Sequence, residues 1–487
     1  MGFHEGQSSD RRLDIRRRVC DSVLKRWISS IHAAIAGVIS QMRRAPFVWE
    51  PGEDILTANG GLGVVGMLFN ATDLNERLGA SDVPGVGIPF ISHRDVIASY
   101  VGLLSQGKSD FDHIEAFRDD EFFRVALALK CVPSSPTLRQ RLEQAASDPK
   151  GQWSAALRNS AEHLLLQHAR CKPLRVGEKE YVPVDMDVSP FDNSKTKKEG
   201  VSRTYKGHDG FSPMFGYLGN EGYTLRVELR EGKQHCQKNT PEFLSDCLRR
   251  AKRILPEAQL LVRMDSGNDA TENIDRCEEN KVDYLIKRNL RQESLAGWLE
   301  RAKREGEVET LRDGKKVYRG VCYLAPRQGH ALVRVVYEVT ERTVTAKGER
   351  LLLPEVEVDS YWTSLPDEPT VVVRCYRDHG TMEQFHSEYK TDMDLERLPS
   401  GKFATNQLIL DIAVLTYNIL RIIGQTTIGD ASVPLRKKAQ RRRIRTVIQN
   451  LILCAAKLVR HARSLRVRYA WHNPWGVVLG HLYATFG

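Results

Sequence analysis

The order of the apolar segments between residues 181 and 286 constrains the fold more than any other feature. Three short runs rich in β-branched and aromatic residues are followed by an amphipathic helical stretch, and two further short runs flank a second helical stretch. The predicted strands are 181–188, 214–218, 223–229, 259–264 and 284–286, and the predicted helices are 241–255 and 273–279. Strands that alternate with helices at these lengths are typical of a sheet covered by helices. We therefore expect an α/β fold built on a mixed sheet.

The segments on either side of this core differ from it in composition. Residues 53–172 alternate helical stretches with short polar breaks, which predicts a mainly helical N-terminal domain. Residues 315–376 are enriched in β-branched and aromatic residues and contain four predicted strands, the last at 370–376. The predicted division of the chain is an N-terminal extension (1–45), a helical domain (46–175), the first part of the core (176–300), a β-rich insertion (301–372), the last part of the core (373–425) and a basic helical tail (426–487).

The sequence disfavours membrane-spanning and secreted proteins. The most apolar stretch, 408–423, contains Asp411 and Arg421, so we interpret it as part of a buried helix at 405–423. The nine cysteines include no CxxC pair, which would indicate a zinc site or a redox motif. Acidic residues interrupt the arginines near the N-terminus, and no signal-peptide cleavage site is evident there. A reducing cytosol is therefore the expected compartment.

Positive charge is concentrated at the C-terminal end of the chain. The net charge is +10, and residues 431–487 contain no Asp or Glu but twelve Lys or Arg, so the rest of the chain carries −2. Such a segment favours a polyanionic partner, with nucleic acid as the first choice and an anionic membrane as the second. Apolar residues at spacings of three and four predict one amphipathic helix across 444–465, with arginines on its outer face.

Three acidic positions are suited to holding metal ions. Asp187 lies in a predicted central strand, where a carboxylate is costly unless it is paired or metal-bound, and Asp185 points to the same side of that strand. Asp265 directly follows another apolar strand, and Glu383 lies on a predicted helix at 381–395. Carboxylate oxygens are the ligands that Mg²⁺ prefers, and two such ions can support phosphoryl transfer. The residues alone leave Asp185 and Asp187 as alternatives.

Three phrases around these acids resemble bacterial insertion-sequence transposases of the DDE type. They lie at 181–187, 260–267 (LLVRMDSG) and 376–383 (YRDHGTME), within a similarity that spans roughly residues 53–468. The chain is most similar to the insertion-sequence-four superfamily and, within it, to the thirteen-eighty branch. The resemblance implies a ribonuclease-H-like core with a β-rich insertion between the second Asp and the Glu, which here are 118 residues apart.

The resemblance also implies the chemistry of the site. It assigns Asp187, Asp265 and Glu383 as catalytic metal ligands, and it favours Asp187 over Asp185 as the first of them. The implied cofactor is a pair of Mg²⁺ ions, for which Mn²⁺ can substitute. The implied reaction is cleavage of transposon DNA ends followed by strand transfer into target DNA.

Around its Glu, the superfamily carries the signature Tyr-x2-Arg-x3-Glu-x6-Lys. Tyr376, Glu383 and Lys390 match this spacing, whereas His379 stands where the Arg is expected and Arg377 is nearby. The resemblance implies that Tyr376, His379, Lys390 and Arg377 contact DNA phosphates. A His would be a weaker and pH-dependent phosphate ligand than an Arg.

The partners implied by the resemblance are double-stranded terminal inverted repeats and target DNA. The helical domain at 46–175 is expected to bind DNA, and Trp362 is a candidate to stack on a flipped base. Tail residues expected to contact DNA are Arg441, Arg442, Arg443 and Arg445. We expect a homodimer on DNA in the bacterial cytoplasm, associated with the nucleoid and needing no membrane or small-molecule cofactor. The alternative is a catalytically inactive or domesticated transposase-derived DNA-binding protein, for which His379 leaves room.

Overall fold

A large mixed sheet runs through this computed structural model, which describes residues 50–81, 89–345, 347–435, 439–462 and 464–487. The predicted extension 1–45 lies outside the described residues. The strands in the described part are β1 (Leu56–Thr57), β2 (Leu174–Val176), β3 (Lys179–Val188), β4 (Phe191–Asp192), β5 (Ser202–Arg203), β6 (Asp209–Phe211), β7 (Met214–Leu218), β8 (Tyr223–Glu228), β9 (Leu260–Met264), β10 (Asp283–Lys287), β11 (Glu307–Arg312), β12 (Lys315–Leu324), β13 (Val333–Val344), β14 (Arg350–Thr363), β15 (Ala456–His461) and β16 (Ser464–Tyr469).

Helices precede, interrupt and follow the strands of the sheet. The α-helices in the described part are α1 (Leu62–Asn70), α2 (Leu74–Gly79), α3 (His93–Leu104), α4 (Glu121–Ala126), α5 (Ser135–Ala146), α6 (Gln152–His168), α7 (Thr240–Ile254), α8 (Thr271–Glu279), α9 (Leu295–Glu305), α10 (Pro369–Arg377), α11 (Met382–Ser387), α12 (Phe403–Thr426), α13 (Ile444–Val447) and α14 (Gly476–Phe486). Helices α1 to α6 confirm the predicted helical character of residues 53–172.

The strand order of the main sheet is β11-β12-β13-β14-β10-β9-β3-β7-β8, with β2 beside β3. The neighbours β3, β9 and β10 are parallel, and the other pairs are antiparallel. The predicted α/β class with a mixed sheet is confirmed. The β-rich segment continues this sheet, because β14 pairs with β10 in the register Trp362↔Ile286. All five residues of β9 are buried, as expected for a central parallel strand.

Helix α12 forms the centre of the helical layer. It packs against α6 and β8, and most of its residues are buried. Among the described residues, it is the one helix long and apolar enough to cross a membrane, but 94% of its most apolar window is buried inside the protein. The predicted buried helix at 405–423 is therefore confirmed. Arg421 of α12 is fully buried in an ion pair with Glu388, which gives its charge a partner inside the core.

Residues 370–376 are helical, so the strand predicted there is wrong. Helix α10 has Pro369 in its first turn, where the fixed φ of proline suits a helix start. Val372, Val373 and Cys375 are buried on the side that packs against β12 and β13. The β-branched run predicted a strand from composition, but packing of this face against the sheet outweighs that preference.

The basic tail is also not the single helix predicted across 444–465. Helix α13 and a π-helical turn, Ile448–Ile452, end at Leu453, and β15 and β16 then form an antiparallel hairpin that also pairs with β1. The half-buried residues Leu465, Val467 and Tyr469 alternate with exposed arginines along β16. This alternation with a period of two is typical of a strand. The same segment also contains apolar spacings of three and four, which led to the prediction of a helix.

Asp411 provides a test of the packing around α12. It is buried, and burial raises its pKa to about 6 although the charge of Arg158 and the side chains of Ser154 and Gln407 oppose the rise. Neither of its oxygens makes a hydrogen bond of good geometry with a described residue. Because the folded-state pKa is raised, ionised Asp411 lowers the free energy of unfolding at neutral pH, and the loss disappears as pH falls below the unfolded-state value.

We therefore expect Asp411→Asn to raise the free energy of unfolding by about 1–2 kcal/mol near pH 8 and by roughly half as much near pH 5. Urea unfolding at the two pH values measures the difference. The exposed Asp313→Asn controls for the change in net charge. A destabilised Asp411→Asn protein at the higher pH would show that the carboxylate has a stabilising partner.

Candidate active site

Two of the predicted carboxylates emerge where neighbouring parallel strands end. Strands β3 and β9 pair in parallel up to the partners Met186 and Met264. Asp187 and Asp265 directly follow these partners, so they leave adjacent strands that are about 4.8 Å apart. The carboxyl ends of parallel strands are the edge at which α/β sheets place their ligands.

The third carboxylate reaches the same place from a helix. Glu383 lies in the first turn of α11, which follows a 3-10 turn at Asp378–Thr381. Together with Asp187 and Asp265 it lines a cavity of about 680 Å³. Other residues that line this cavity include Lys206, Lys287, Tyr361, Tyr376, Arg377, His379, His386 and Lys390. Three elements distant in sequence thus place carboxylates around one space.

The charges of the strand carboxylates are only partly compensated. Burial and then the neighbouring Asp265 raise the pKa of Asp187. Burial also raises the pKa of Asp265, although its Oδ1 accepts hydrogen bonds from Gly267 N at 3.1 Å and Asn268 Nδ2 at 2.7 Å. A divalent cation between the two carboxylates would remove this repulsion, and oxygen donors suit a hard ion. The residues present therefore fit a metal ion.

The carboxylates do not form a closed metal cage. Within the described ranges, no group of three or more His, Cys, Asp or Glu side chains is arranged to hold an ion unaided. Glu383 is exposed to solvent, and the Asp187 side chain is 24% exposed. An open arrangement suits Mg²⁺, which keeps several waters and completes its shell with substrate phosphates.

Asp185, the alternative first Asp, has a different environment. It is 1% exposed, and both of its oxygens accept hydrogen bonds from Arg263, each at 2.7 Å. His379 Nδ1 lies 3.1 Å from Asp185 Oδ1. Although burial opposes ionisation, Arg263 and His379 lower the pKa of Asp185 to about 2. Asp185 is therefore a permanently charged core residue whose oxygens are already engaged.

The Arg263 guanidinium ties together the elements that carry the three carboxylates. It extends from β9 to Asp185 on β3, and its Nη1 donates to the Cys375 carbonyl of α10 at 3.0 Å. His379, in the turn that leads into α11, joins the same cluster through Asp185. The cluster thus fixes β3, β9 and the α10–α11 connection relative to one another.

Lys390 and Tyr376, two predicted phosphate ligands, also line the cavity. Lys390 is half-buried, and burial lowers the pKa of its ammonium group, which lies 5.6 Å from the centre of the Phe191 ring. The Tyr376 ring packs 4.7 Å from Tyr361, and burial raises the pKa of its hydroxyl. Lys390 can donate to an anion in the cavity, and the protonated Tyr376 hydroxyl can donate a hydrogen bond there.

The other two predicted phosphate ligands have protein partners. Arg377 lines the cavity but pairs with the buried Glu338 at 2.5 Å. His379 is 7% exposed and directs its Nδ1 to Asp185. At the position where the superfamily signature has an Arg, this chain therefore has a side chain engaged with the core.

Comparison with known proteins gives a family. The family described as "Transposase DDE domain group 1" matches residues 52–486, nearly the whole chain. The chain belongs to this family of DDE transposases. The resemblance seen in the sequence is confirmed at that level, whereas the superfamily, the branch and the bacterial origin stay predictions.

No curated protein shows significant sequence similarity to this transposase. The piggyBac transposase, solved by cryo-EM as a synaptic complex with hairpin DNA, resembles it with 9% sequence identity and a TM-score of 0.42. That similarity covers 81% of this chain and 79% of the other chain. A likeness this distant adds nothing to the family membership.

Five residues predicted to contact DNA lie outside the cavity lining. Trp362 is 4% exposed, donates to Asp269 at 2.7 Å and packs under Arg288, so neither face of its indole is open to a base. In the tail, Arg441 pairs with Glu388, and Arg443 and Arg445 pair with Asp392. Arg442 is buried against Thr427. The structure gives all five residues roles in packing, and their contact with DNA stays a prediction.

Among the cavity residues that were not predicted from the sequence, two lie beside Asp187. Lys206, in the loop between β5 and β6, faces Asp187 closely enough to oppose the rise in its pKa. His386 is buried 4.0 Å from Asp187, and burial together with Lys390 lowers its pKa to about 3, so it is neutral. The spacing of three from Glu383 could have indicated His386, because such residues share a helix face. No sequence signal indicates Lys206.

The environments of Asp185 and Asp187 predict opposite responses to the same isosteric change. Asp185→Asn leaves Arg263 charged and unpaired in the core, so we expect a loss of about 3–5 kcal/mol in the free energy of unfolding. Asp187→Asn removes one of two repelling carboxylates, so we expect no loss, or a gain of up to about 1 kcal/mol. Denaturant unfolding of both variants measures the contrast. Equal destabilisation would contradict the distinction between a core acid and a site acid.

Proposed function

We propose that this DDE transposase cleaves the ends of a transposon and joins them to target DNA in a metal-dependent reaction. Asp187, Asp265 and Glu383 are the proposed metal ligands. The observation that carries the proposal is the meeting of these three carboxylates, from β3, β9 and α11, at one cavity inside a DDE transposase domain. Family membership implies DNA cleavage and strand transfer in general, and the cavity gives that chemistry a location.

Magnesium is the proposed cofactor, as two ions for which Mn²⁺ can substitute. When bound, such ions activate the attacking oxygen and stabilise the leaving oxygen of a phosphodiester. The protein supplies the donor set. Because burial raises the pKa of Asp187 and Asp265, a bound cation would displace protons from them, and metal binding should strengthen as pH rises.

Cationic and hydroxyl donors around the carboxylates would position the phosphodiester. Lys206 and Lys390 line the cavity with the acids, and Tyr376 adds a hydroxyl donor. Lysine binds phosphate as a point charge, and holding the reacting groups in line supplies much of the catalysis in phosphoryl transfer. The buried neutral His386 lies 4.0 Å from Asp187 and adds no positive charge to the site.

The strand order supports a ribonuclease-H-like core. Strands β8, β7, β3, β9 and β10 lie in that order, with an antiparallel half and a parallel half that meet at β3. Asp187 and Asp265 lie at this junction, and the β-rich segment enters between Asp265 and Glu383. Membership of the insertion-sequence-four superfamily fits this arrangement and belongs to the proposal.

The proposed partners are terminal inverted repeats and target DNA, bound by a homodimer in the bacterial cytoplasm. The basic excess supports nucleic acid as the partner. A second candidate function is a catalytically inactive DNA-binding relative. The observation that favours it is His379, because the superfamily signature has an Arg there and this side chain is engaged with Asp185.

Cleavage of DNA carrying the repeats that flank its gene tests the proposal. With Mg²⁺ or Mn²⁺ present, we expect the unaltered protein to cut strands at the repeat ends. Glu383→Ala should lower cleavage at least about 100-fold while DNA binding is retained, because the metal loses a ligand. Glu257→Ala, at an exposed Glu outside the cavity lining, is the matched control. Cleavage by Glu383→Ala at the unaltered rate would exclude the assignment, and binding without cleavage by the unaltered protein would favour the inactive relative.

Substitution of Lys390 tests whether its side chain contacts a phosphate or only packs in the protein. If its ammonium contacts a phosphate in the cavity, Lys390→Gln should weaken binding of repeat-end DNA by about 10-fold. It should also reduce the salt dependence of binding by about one counterion. Titrations at several salt concentrations give both quantities. A change in thermal stability with an unaltered salt slope would assign Lys390 to packing against Phe191 instead.

A further inference from the structure

The β15–β16 hairpin is a rigid platform at the surface of the molecule. It forms a three-stranded sheet with β1, and the Leu458 amide donates to the Ile55 carbonyl at 2.8 Å. Ala456 and Leu458 are buried on its inner face. The Tyr469 hydroxyl donates to the Gly60 carbonyl at 2.9 Å. These contacts hold both strands of the hairpin against the rest of the protein, so the outer face of the hairpin has a fixed orientation.

The outer face of this hairpin is basic. Arg466 and Arg468 are exposed on β16, about 7 Å apart because strand residues on one face are two positions apart. Across the ladder, Arg468 is paired in register with Lys457, which is also exposed. Two exposed arginines on one strand face can both reach the phosphates of a polyanion.

Arg466 and Arg468 of β16 differ in their partners from the other described arginines of the tail, including Arg460 of β15, which pairs with Glu121. Arg441, Arg443 and Arg445 pair with Glu388 or Asp392 of the core. No described acidic residue forms an ion pair with Arg466 or Arg468, and residues 431–487 contain no Asp or Glu. Arginines in the first part of the tail therefore form ion pairs with the core, whereas Arg466 and Arg468 face outward.

An exposed tryptophan extends the basic face. Trp471 follows β16 by two residues and is 95% exposed, with its ring in edge contact with His472. Tryptophan is enriched at interfaces, so a ring this open beside a basic face can contact another molecule. Tryptophan beside arginine can bind nucleic acid, with the aromatic ring against sugars and the guanidinium groups paired with phosphates.

We propose that Arg466, Arg468 and Trp471 form a double-stranded DNA contact outside the catalytic cavity. The proposal rests on the proposed function, in which DNA is the substrate. A two-stranded β-ribbon fits the major groove of DNA. The arginines would then reach phosphates at the edge of the groove, and Trp471 would contact the adjacent sugar–phosphate backbone. The contact is independent of base sequence and increases the affinity for DNA in general rather than for the repeat.

An anionic membrane is the other polyanion that could cover this face. A membrane-binding surface presents several apolar side chains that insert together. Here the outer face carries the exposed Leu56 of β1, the half-buried Val459 and the neighbouring Trp471, which do not form one continuous apolar row, and its other described residues are charged or polar. The composition of the face therefore favours DNA.

The test measures fluorescence anisotropy of a labelled random-sequence duplex of about 30 base pairs at salt concentrations from roughly 50 to 200 mM. Arg466→Ala/Arg468→Ala should weaken binding by about 10- to 100-fold and lower the slope of log affinity against log salt by about 1.8, since each phosphate contact contributes about 0.9. Trp471→Ala should weaken binding several-fold with the slope unchanged. Arg276→Ala/Arg304→Ala removes the same charge from two helix positions outside the hairpin, the half-buried Arg276 and the exposed Arg304, and is the control.

The outcomes distinguish this inference from the proposed function. Unaltered binding and slope in the arginine variant, with the unaltered protein binding DNA, would overturn the hairpin contact alone. An equal loss in the control variant would also overturn it, because net charge would then explain the effect. Absence of DNA binding by the unaltered protein, together with binding to phosphatidylserine vesicles that the hairpin variant loses, would overturn both. Circular dichroism of each variant verifies that the fold is kept.

Discussion

The ion pair between Arg263 and Asp185 is the interaction on which the site depends. It lies in the sheet, with Asp185 on β3 two residues before Asp187 and Arg263 on β9 two residues before Asp265. Both oxygens of Asp185 accept hydrogen bonds from Arg263, whose guanidinium also donates to a backbone carbonyl of α10. A buried pair of this kind is held by geometry more than by net free energy, and loss of either partner is costly because the other keeps its charge. As a consequence, β3, β9 and the connection from α10 to α11, which lead to the three carboxylates, cannot shift independently.

The acids of the core fall into two groups according to whether arginine compensates them. Asp185, Glu388 and Asp392 are buried and paired with guanidinium groups, and they hold elements together. Asp187 and Asp265 have no such partner among the described residues; burial raises the pKa of both, and the charge of Asp265 raises that of Asp187 further. A buried carboxylate stabilises the fold where an arginine supplies the counter-charge. Where no arginine does so, a metal cation can supply it. The tail arginines show the corresponding division between paired and outward-facing charge.

Much of the core was predictable because its segments are short, apolar and locally consistent. Strands β3, β7, β8, β9 and β10 and helices α7, α8 and α12 were predicted within a few residues of their bounds. Two predictions failed where local composition and tertiary packing disagreed. Residues 370–376 have the composition of a strand but pack as α10, and 456–469 have apolar spacings of both kinds but pair with β1. A partner strand of two residues, about 400 positions away, cannot be seen in the local pattern.

The sequence by itself determined the chemistry available to this protein: a family phrase around each acid, an α/β core and a basic C-terminal segment. These are local or compositional properties, so they are readable without coordinates. Only the tertiary structure decided which groups are engaged. Asp185 and Asp187 are two residues apart on one strand face, and Arg441 and Arg466 are both tail arginines, yet one member of each pair is bonded into the core and the other is not. That difference depends on the partner that folding brings to each side chain, and such partners lie far away in the chain.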